Sequence, residues 1–285
     1  MPICTIHLLS LSVPLSTFLQ TLSSTSLKPL TISRVIRWII LPSHLSTIPL
    51  LAQNIHWDIP LILPSLSSPL PSSLQHQITH HWSLEAGIPS RLLENYASKN
   101  ARLLHPEKGD VKPLKGALDS LKERRKKEGK MPESSQDLEL SPELLSWIEI
   151  FTSSGTREAE GAVSMLNLLA FKPGRKPEYL KYGAAYAASA GSSRGGNAKI
   201  VGSVVTSDTG GNQDEGEDVK GEGWDEIALA HYPSLWLFAD MLASEEYQDV
   251  NKRYRVGSLR DTCILCTSEV GMEEMGGMGA TSAKL

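Results

Sequence analysis

The chain has 285 residues, 40% of them hydrophobic and 21% charged, which is typical of a globular protein of about two domains. Its formal net charge of −4 argues against a nucleic-acid-binding protein, because phosphate recognition needs a concentrated positive surface. Its three cysteines are too few for a disulfide framework, so a reducing compartment is the simpler expectation.

The N-terminal segment lacks acidic residues. The first 57 residues contain no Asp or Glu and only three basic residues, Lys28, Arg34 and Arg37. A signal peptide would place basic residues before its apolar core, and Pro14 interrupts this one, whereas a transit peptide is usually richer in Arg. Apolar runs end well before the ~20 residues of a membrane span. We expect a cytoplasmic protein that does not associate with membranes. A mitochondrial location is the alternative, because an acid-free start also fits a targeting segment.

The first hundred residues read as strands with few helices between them. Apolar and β-branched runs predict the strands, and a Leu-rich stretch after Pro14 predicts one helix. A second helix is missing after the third strand, and residues 89–100 are expected to supply one later. The predicted strands are 3–12, 32–42, 54–65 and 77–87, with a helix at 14–24.

The middle of the chain is charged and is interrupted by Pro and Gly. Residues 105–140 contain few aromatic side chains, and the basic run at 122–130 alternates with acids. This composition predicts a flexible, solvated linker rather than a nuclear localisation signal. Residues 141–154 follow as a capped amphipathic helix.

The C-terminal part alternates strands and helices more clearly. Its third strand ends at a Pro-Ser pair that can cap the next helix. The strands are predicted at 162–171, 197–207, 224–232 and 259–270, and the helices at 178–190, 235–243 and 245–256. A Gly- and acid-rich stretch at 208–223 is expected to be a mobile hairpin loop, and residues 271–285 a disordered tail.

The order β-α-β-β-α-β is that of a ferredoxin-like unit, whose uncovered sheet face needs a second sheet. Two stretches echo each other, since "WDIPLILPS" (57–65) and "WDEIALAHYPS" (224–234) both open on Trp-Asp and close on Pro-Ser. We therefore predict an α+β fold with a degenerate unit at 1–100 and a second unit at 141–270. Their antiparallel sheets would pack face to face as a tandem repeat. Chance similarity among Leu-rich strands is the alternative.

Residues 163–270 resemble a family of small, functionally undefined dimeric α/β-barrel domains. The resemblance lies in "EYLKYGAAY", in "HYPSLWLFADMLASEEYQ" and in "RYRVGSLRDTCILC". The wider superfamily includes EthD-like proteins, muconolactone isomerase and antibiotic-biosynthesis monooxygenases, so the resemblance implies paired ferredoxin-like sheets with a ligand cavity. The N-terminal half looks like a fungal-type extension. Haem is not expected, because the predicted helices of the C-terminal unit carry no His.

The cysteine and histidine patterns do not predict a metal or redox site. Cys263 and Cys266 are three apart along a strand, so their thiols point to opposite faces and are expected to be structural. His76, His80 and His81 come without accompanying acidic or Cys ligands, which favours structural roles over metal binding. The chain has no dinucleotide-binding, P-loop or serine-hydrolase motif. No cofactor and no metal are therefore expected.

Polar residues on otherwise apolar strands suggest a small-molecule pocket instead. Asn167 interrupts the first strand of the C-terminal unit and His231 lies near the end of the third, where it could transfer a proton. The helix 178–190 carries tyrosines beside small residues, which would leave room for a ligand. The candidate catalytic residues are His231 and Asn167. The candidate substrate-binding residues are Tyr179, Tyr182, Tyr186, Tyr232 and Trp236. A plain core of buried polar residues is the alternative for each of them.

Two functions follow from these expectations. The first is a cofactor-independent oxygenase or isomerase acting on an aromatic or polyketide-like compound. The second is a non-catalytic structural or interaction module. The expected partner is a small-molecule ligand rather than nucleic acid or membrane. The chain is expected to be a monomer with an internal pseudo-dimer, or a homodimer.

Overall fold

The computed structural model describes residues 1–64, 70–107, 109–129, 132–208 and 223–276. The predicted loop at 208–223 and tail at 271–285 therefore lie largely outside the described residues. Within them, nine strands rich in β-branched and aliphatic residues pair antiparallel in one sheet. They are β1 (Ile3–Leu11), β2 (Thr31–Ile32), β3 (Arg34–Ile40), β4 (Ile59–Pro64), β5 (Ile78–Gly87), β6 (Val163–Phe171), β7 (Asn197–Asp208), β8 (Glu226–Tyr232) and β9 (Leu259–Ser268).

Helices follow most of these strands, and several begin at a side-chain cap. Ser141, Thr156, Ser234 and Ser244 each accept a backbone N–H of the first turn that would otherwise lack a partner. The helices are α1 (Leu15–Ser23), α2 (Thr47–Leu51), α3 (Ser72–Gln75), α4 (Ser90–Leu93), α5 (Tyr96–Leu104), α6 (Ala117–Glu128), α7 (Pro142–Thr152), α8 (Arg157–Glu160), α9 (Lys176–Ala185), α10 (Leu235–Ala243), α11 (Glu245–Val250) and α12 (Val270–Gly276). Single π-helical turns follow α9 at Tyr186–Ala190 and α11 at Asn251–Arg255.

The expected α+β class is confirmed, and the strand order is β2-β4-β1-β5-β7-β8-β6-β9-β3. The two halves of the chain join where β5 pairs with β7, and again where β9 pairs with β3. The ladder is open between its end strands β2 and β3, which only Ser33 separates in sequence. The backbone N–H groups of Ser33 and Val35 donate to the carbonyls of Pro60 and Asp58 at 3.1 and 2.8 Å.

The two Trp-Asp pairs make matching hydrogen bonds. The carboxylate of Asp58 accepts the N–H of Leu11, the last residue of β1, at 2.7 Å. The carboxylate of Asp225 accepts the N–H of Phe171, the last residue of β6, at 2.6 Å. The backbone contacts correspond too. The carbonyl of Asp58 accepts the N–H of Val35 at 2.8 Å, and the carbonyl of Asp225 accepts the N–H of Val204 in β7 at 2.9 Å. The similarity noticed in sequence therefore extends to equivalent contacts.

Side chains alternate between the two faces of the sheet and form separate cores. One face carries a cluster drawn from both halves of the chain, with Leu84 of β5 and Ile227 of β8 among its members. The opposite face packs beneath helices. In the C-terminal half it holds Tyr232 and Phe238, and in the N-terminal half it holds Phe18. Adjacent residues of one strand thus enter different cores.

The predicted flexible linker contains a helix. Within residues 105–140, α6 packs against α10, and the N–H groups of Ala117 and Leu118 donate to the Asp240 carboxylate at 2.8 and 3.4 Å. The linker prediction is therefore wrong for this segment, because a buried carboxylate binds the start of the helix. The tail prediction is also corrected at its beginning, where α12 forms.

The described helices do not include a membrane-spanning candidate. None of them combines the length and the apolar character that crossing a bilayer requires.

Candidate functional site

A cavity of about 600 Å³ opens beside α5, where β7 begins and β8 ends. Its volume lies within the range of small-molecule pockets, roughly 300–1,000 Å³. One wall comes from α5 in the N-terminal half of the chain, through Tyr96 and Asn100. The facing wall comes from the C-terminal half, through Lys199 and His231. Both halves are therefore needed to form it.

Local geometry aims these side chains at the cavity. Tyr96, Lys99, Asn100 and Leu103 are spaced i, i+3, i+4 and i+7 along α5, so they share one helical face. In β7 the register shifts between Ala198 and Ile200, which places one extra residue, Lys199, opposite the β8 ladder. Such bulges redirect a side chain away from its regular position, and they recur next to functional sites.

Behind the cavity wall, Lys199 is part of a buried polar cluster. Its Nζ atom forms an ion pair with Oε1 of Glu269, which directly follows β9. The same Nζ donates to Oδ1 of Asn100 at 2.7 Å, and Nδ2 of Asn100 donates to Oε2 of Glu269 at 2.7 Å. Each of the three side chains thus holds the other two. A third N–H of Lys199 is left without an acceptor in the described part of the chain.

Two residues that line the cavity each carry a buried polar atom with no hydrogen-bond partner among the described residues. These atoms are Nδ1 of His231, a residue 1% exposed, and the hydroxyl of Tyr96, a residue 6% exposed. Burial, together with the charge of Lys199, lowers the pKa of His231 to about 3, so its imidazole is neutral at physiological pH. Burial and the nearby Glu269 carboxylate raise the pKa of Tyr96, which keeps its hydroxyl protonated.

These groups suit recognition of a polar molecule. A buried polar atom without a partner costs about 1–3 kcal/mol, so two of them at one cavity are unfavourable unless something binds there. The neutral imidazole can accept or donate one hydrogen bond, while the Tyr96 hydroxyl and the third N–H of Lys199 can donate. Each of these three groups could form a hydrogen bond with an oxygen atom of a ligand.

The structure separates the predicted catalytic residues. His231 lies on the cavity side of β8, whereas Asn167 of β6 alternates with Leu166 and Leu168 and so faces the helices. Nδ2 of Asn167 donates to the carbonyls of Met165 and Ala228 at 2.8 and 3.4 Å, which explains this polar residue structurally. The expectation that the two residues share a pocket is wrong, because they point to opposite faces of the sheet.

The predicted substrate-binding residues lie together on the helix-facing side. The hydroxyls of Tyr182 and Tyr247 are 3.0 Å apart, and the Tyr186 hydroxyl donates to that of Tyr232 at 2.9 Å. Burial raises the pKa of all four phenols. Because their hydroxyls pair with each other, they act as a packed hydrogen-bonded layer rather than as open ligand donors.

Tyr179 and Trp236, the other two predicted binding residues, pack on the same side. The ring of Tyr179 lies 5.0 Å from that of Phe171 at a tilt of 55°, and Tyr179 packs against a small satellite cluster. Trp236 is half-buried at the edge of the core beneath α10. Neither residue lines the 600 Å³ cavity.

The two cysteines of β9 point to opposite faces of the sheet, as their spacing predicts. Cys263 and Cys266 are free thiols in different cores on opposite sheet faces. His81 lies across from His7, with Nε2 and Nδ1 2.8 Å apart. Within the described ranges, no group of three or more His, Cys, Asp or Glu residues is arranged to hold a metal ion.

Sequence reasoning missed most of the cavity residues. Lys199 carried a usable signal, since a charged side chain inside the β-branched run "NAKIVGSVV" needs a buried partner. Tyr96, Asn100 and Glu269 carried none. They are distant in sequence from Lys199 and meet it only because α5 folds over the start of β7.

Comparison with known proteins identifies distant structural neighbours. No protein-family model and no curated protein matches the chain. A protein of unknown function from Rhodopseudomonas palustris is 22% identical over 45% of this chain and 93% of its own, with a TM-score of 0.34. The methylated form of that protein is 21% identical over 46% of this chain and 93% of its own, with a TM-score of 0.35. A candidate monooxygenase from Lactobacillus acidophilus is 8% identical over 94% of both chains, with a TM-score of 0.39. These similarities are too low to carry an assignment.

Proposed function

We propose that the protein binds a small organic molecule in the cavity beside α5 and catalyses proton transfer on it. This is the type of step that a cofactor-independent isomerase or oxygenase needs. The observation that carries the proposal is the pair of buried atoms without partners, His231 Nδ1 and the Tyr96 hydroxyl, on one cavity of about 600 Å³. An aromatic or polyketide-like compound would supply an oxygen to bind and a planar apolar body.

The residues would divide the chemistry among them. His231 would exchange a proton with the ligand, because its imidazole is the only neutral base on the described wall of the cavity. Tyr96 and Lys199 would donate hydrogen bonds to the ligand oxygen on which negative charge develops. Asn100 and Glu269 would position the Lys199 ammonium group, since both contact Nζ.

We also propose that the fold is a tandem pair of ferredoxin-like units, 1–100 and 141–270, arranged as a dimeric α/β barrel within one chain. Three observations support this. In each half the strand order follows the same plan. The Asp58 and Asp225 contacts correspond. β2 and β3, at the two ends of the ladder, are one strand interrupted at Ser33. The cavity would then lie at one end of the barrel interior.

A screen of aromatic and polyketide-like compounds by thermal shift tests the proposed binding. A true ligand should raise the melting temperature of the wild-type protein, and His231→Ala and Tyr96→Phe should each weaken that rise. The matched control is His76→Ala, which removes an exposed histidine that does not line the cavity. Turnover of the hit compound should fall about a hundredfold or more in His231→Ala, the usual loss for a general base. If the control variant loses the same response, the proposal fails.

A second function is favoured by the same cluster. Lys199 and Glu269 hold Asn100 of α5, so the buried ion pair also fastens the N-terminal half to the C-terminal sheet. A non-catalytic module would use the cluster only in this way. In that case no compound would raise the melting temperature of the wild type.

A further inference from the structure

The cavity carries positive charge on a protein that is negative overall. Three of its lining residues are cationic, namely Lys99 and Arg102 of α5 and the buried Lys199, while Asp110 is the one acidic residue on the described lining. Glu269 lies behind Lys199 and neutralises that charge, which still leaves an excess of one positive charge at the cavity. The whole chain, in contrast, has a net charge of −4. This local reversal of sign favours an anion over a neutral ligand or a cation.

We propose that the ligand is a small organic anion, a carboxylate on an apolar body, and that each chain binds one. The inference rests on the proposed function, because it names the ligand class of the same cavity. The carboxylate would lie toward Lys99 and Arg102. The apolar body would contact Leu92, Leu103 and the other non-polar lining residues.

The stoichiometry follows from the correspondence between the two halves. His231 pairs with Ser164 in the ladder as Pro64 pairs with Cys4, so Pro64 is its counterpart. The same register makes Leu30 the counterpart of Lys199 and Ile88 the counterpart of Glu269. All three counterparts are apolar, so the N-terminal half has no second set of these polar groups. Its contribution to the cavity comes from the side chains of α5 instead.

An anion would also improve the proposed chemistry. In the empty cavity, burial and the Lys199 charge disfavour a positive imidazole on His231. A carboxylate in the cavity would offset that charge and favour the protonated imidazole, which brings its pKa closer to neutral pH. Proton transfer to His231 would therefore become easier once the substrate is bound.

The test compares acids with their uncharged amides. Benzoate and benzamide form one pair, and 2-naphthoate and 2-naphthamide form another, with affinity and stoichiometry measured by calorimetry at about 20 and about 500 mM salt. We expect each acid to bind roughly tenfold more tightly than its amide at low salt, one molecule per chain, with a smaller preference at high salt. The double variant Lys99→Gln/Arg102→Gln should remove most of the preference and leave amide affinity within about twofold.

The matched control is Arg91→Gln/Lys28→Gln, which removes the same charge at exposed positions outside the cavity. It should keep the preference of the wild type. Equal affinity for acids and amides, with His231→Ala still weakening both, would overturn the anion inference and leave the proposed function standing. Two acid molecules per chain would overturn the single site. If neither member of either pair binds, the proposed function and this inference both fail.

Discussion

His231 and Tyr232 are neighbours in the chain, yet their side chains enter different parts of the molecule. His231 lines the cavity together with Tyr96, whereas the Tyr232 hydroxyl accepts from Tyr186 beneath the helices. The period of two along a strand separates them. Two adjacent polar residues of a strand therefore cannot both belong to a site on one face of the sheet.

Acid should destabilise the protein through two buried histidines. Burial lowers the pKa of His7, with its neighbour His81 adding to the effect, and of His231, in each case to about 3. The unfolded chain binds these protons near pH 6.5, so the stability that the two histidines contribute is complete above that pH. It is lost as the pH falls toward 3. Between pH 7 and 5 we expect each histidine to cost about 2 kcal/mol.

Urea unfolding at both pH values measures this effect. His231→Gln and His7→Gln should each reduce the change in unfolding free energy between pH 7 and 5 by about 2 kcal/mol, because glutamine does not titrate. His76→Gln, an exposed control, should leave it unchanged. An unaltered slope in the two buried variants would show that these residues titrate alike in the folded and unfolded states.

Removing the Tyr96 hydroxyl should stabilise the empty protein. Its oxygen is buried and has no partner in the described part of the chain, so Tyr96→Phe removes a desolvation cost of about 1 kcal/mol or more. The matched control is Tyr186→Phe, which removes a hydroxyl that donates to Tyr232 and should destabilise by about 1 kcal/mol. Chemical denaturation measures both changes. Destabilisation by Tyr96→Phe would mean that its hydroxyl already has a partner.

At the scale of elements, a bulge in β7 places Lys199 at the cavity, and a buried carboxylate fixes the start of α6 in the segment predicted to be a linker. The extra residue in β7 brings Lys199 to Glu269. The carboxylate of Asp240, itself fully buried in α10, accepts N–H groups at the start of α6 and pairs with Arg194 at 2.8 Å. Asp240 thus bonds groups that are distant from it in sequence. This explains why the charged segment 105–140 contains an ordered helix.

Breaking the Asp240 contacts should release α6. Asp240→Ala removes the carboxylate that pairs with the buried Arg194 and the acceptor at the start of the helix, which should cost about 3–5 kcal/mol. Limited proteolysis should then cut within 105–140 far faster than in the wild type. Arg194→Met/Asp240→Leu should recover part of the stability but not the protection of the segment. Equal cleavage of the wild type and Asp240→Ala would restore the linker prediction.

At the scale of the whole molecule, strands that could pair with another chain are used within this one. β5 pairs with β7, and β9 pairs with β3, so the two halves complete each other's sheet. A single-unit relative would need a second copy to cover the same face. The proposed internal pseudo-dimer therefore predicts that the full chain is a monomer.

Light scattering over a wide range of concentration tests this prediction. The expected mass is that of one chain at every concentration. A mass of two chains that persists on dilution would show that a further interface exists and that the internal pairing leaves a face uncovered.

The sequence by itself determined the α+β class and the strands. Local patterns were sufficient for this, because apolar runs, caps and the two Trp-Asp stretches act over a few residues. Every predicted strand has its counterpart among β1 to β9. The structural cysteines were also predicted, since the spacing of Cys263 and Cys266 alone fixes opposite faces.

Only the tertiary structure decided where the site lies. Tyr96, Asn100, Lys199 and Glu269 meet because α5 crosses from one half of the chain to the other and because a bulge turns Lys199 toward it. The direction of a bulge and the docking of a helix depend on packing over more than a hundred residues, which no local pattern encodes. For the same reason the sequence analysis placed His231 beside Asn167, whereas the structure places it on a cavity with Tyr96 and Lys199.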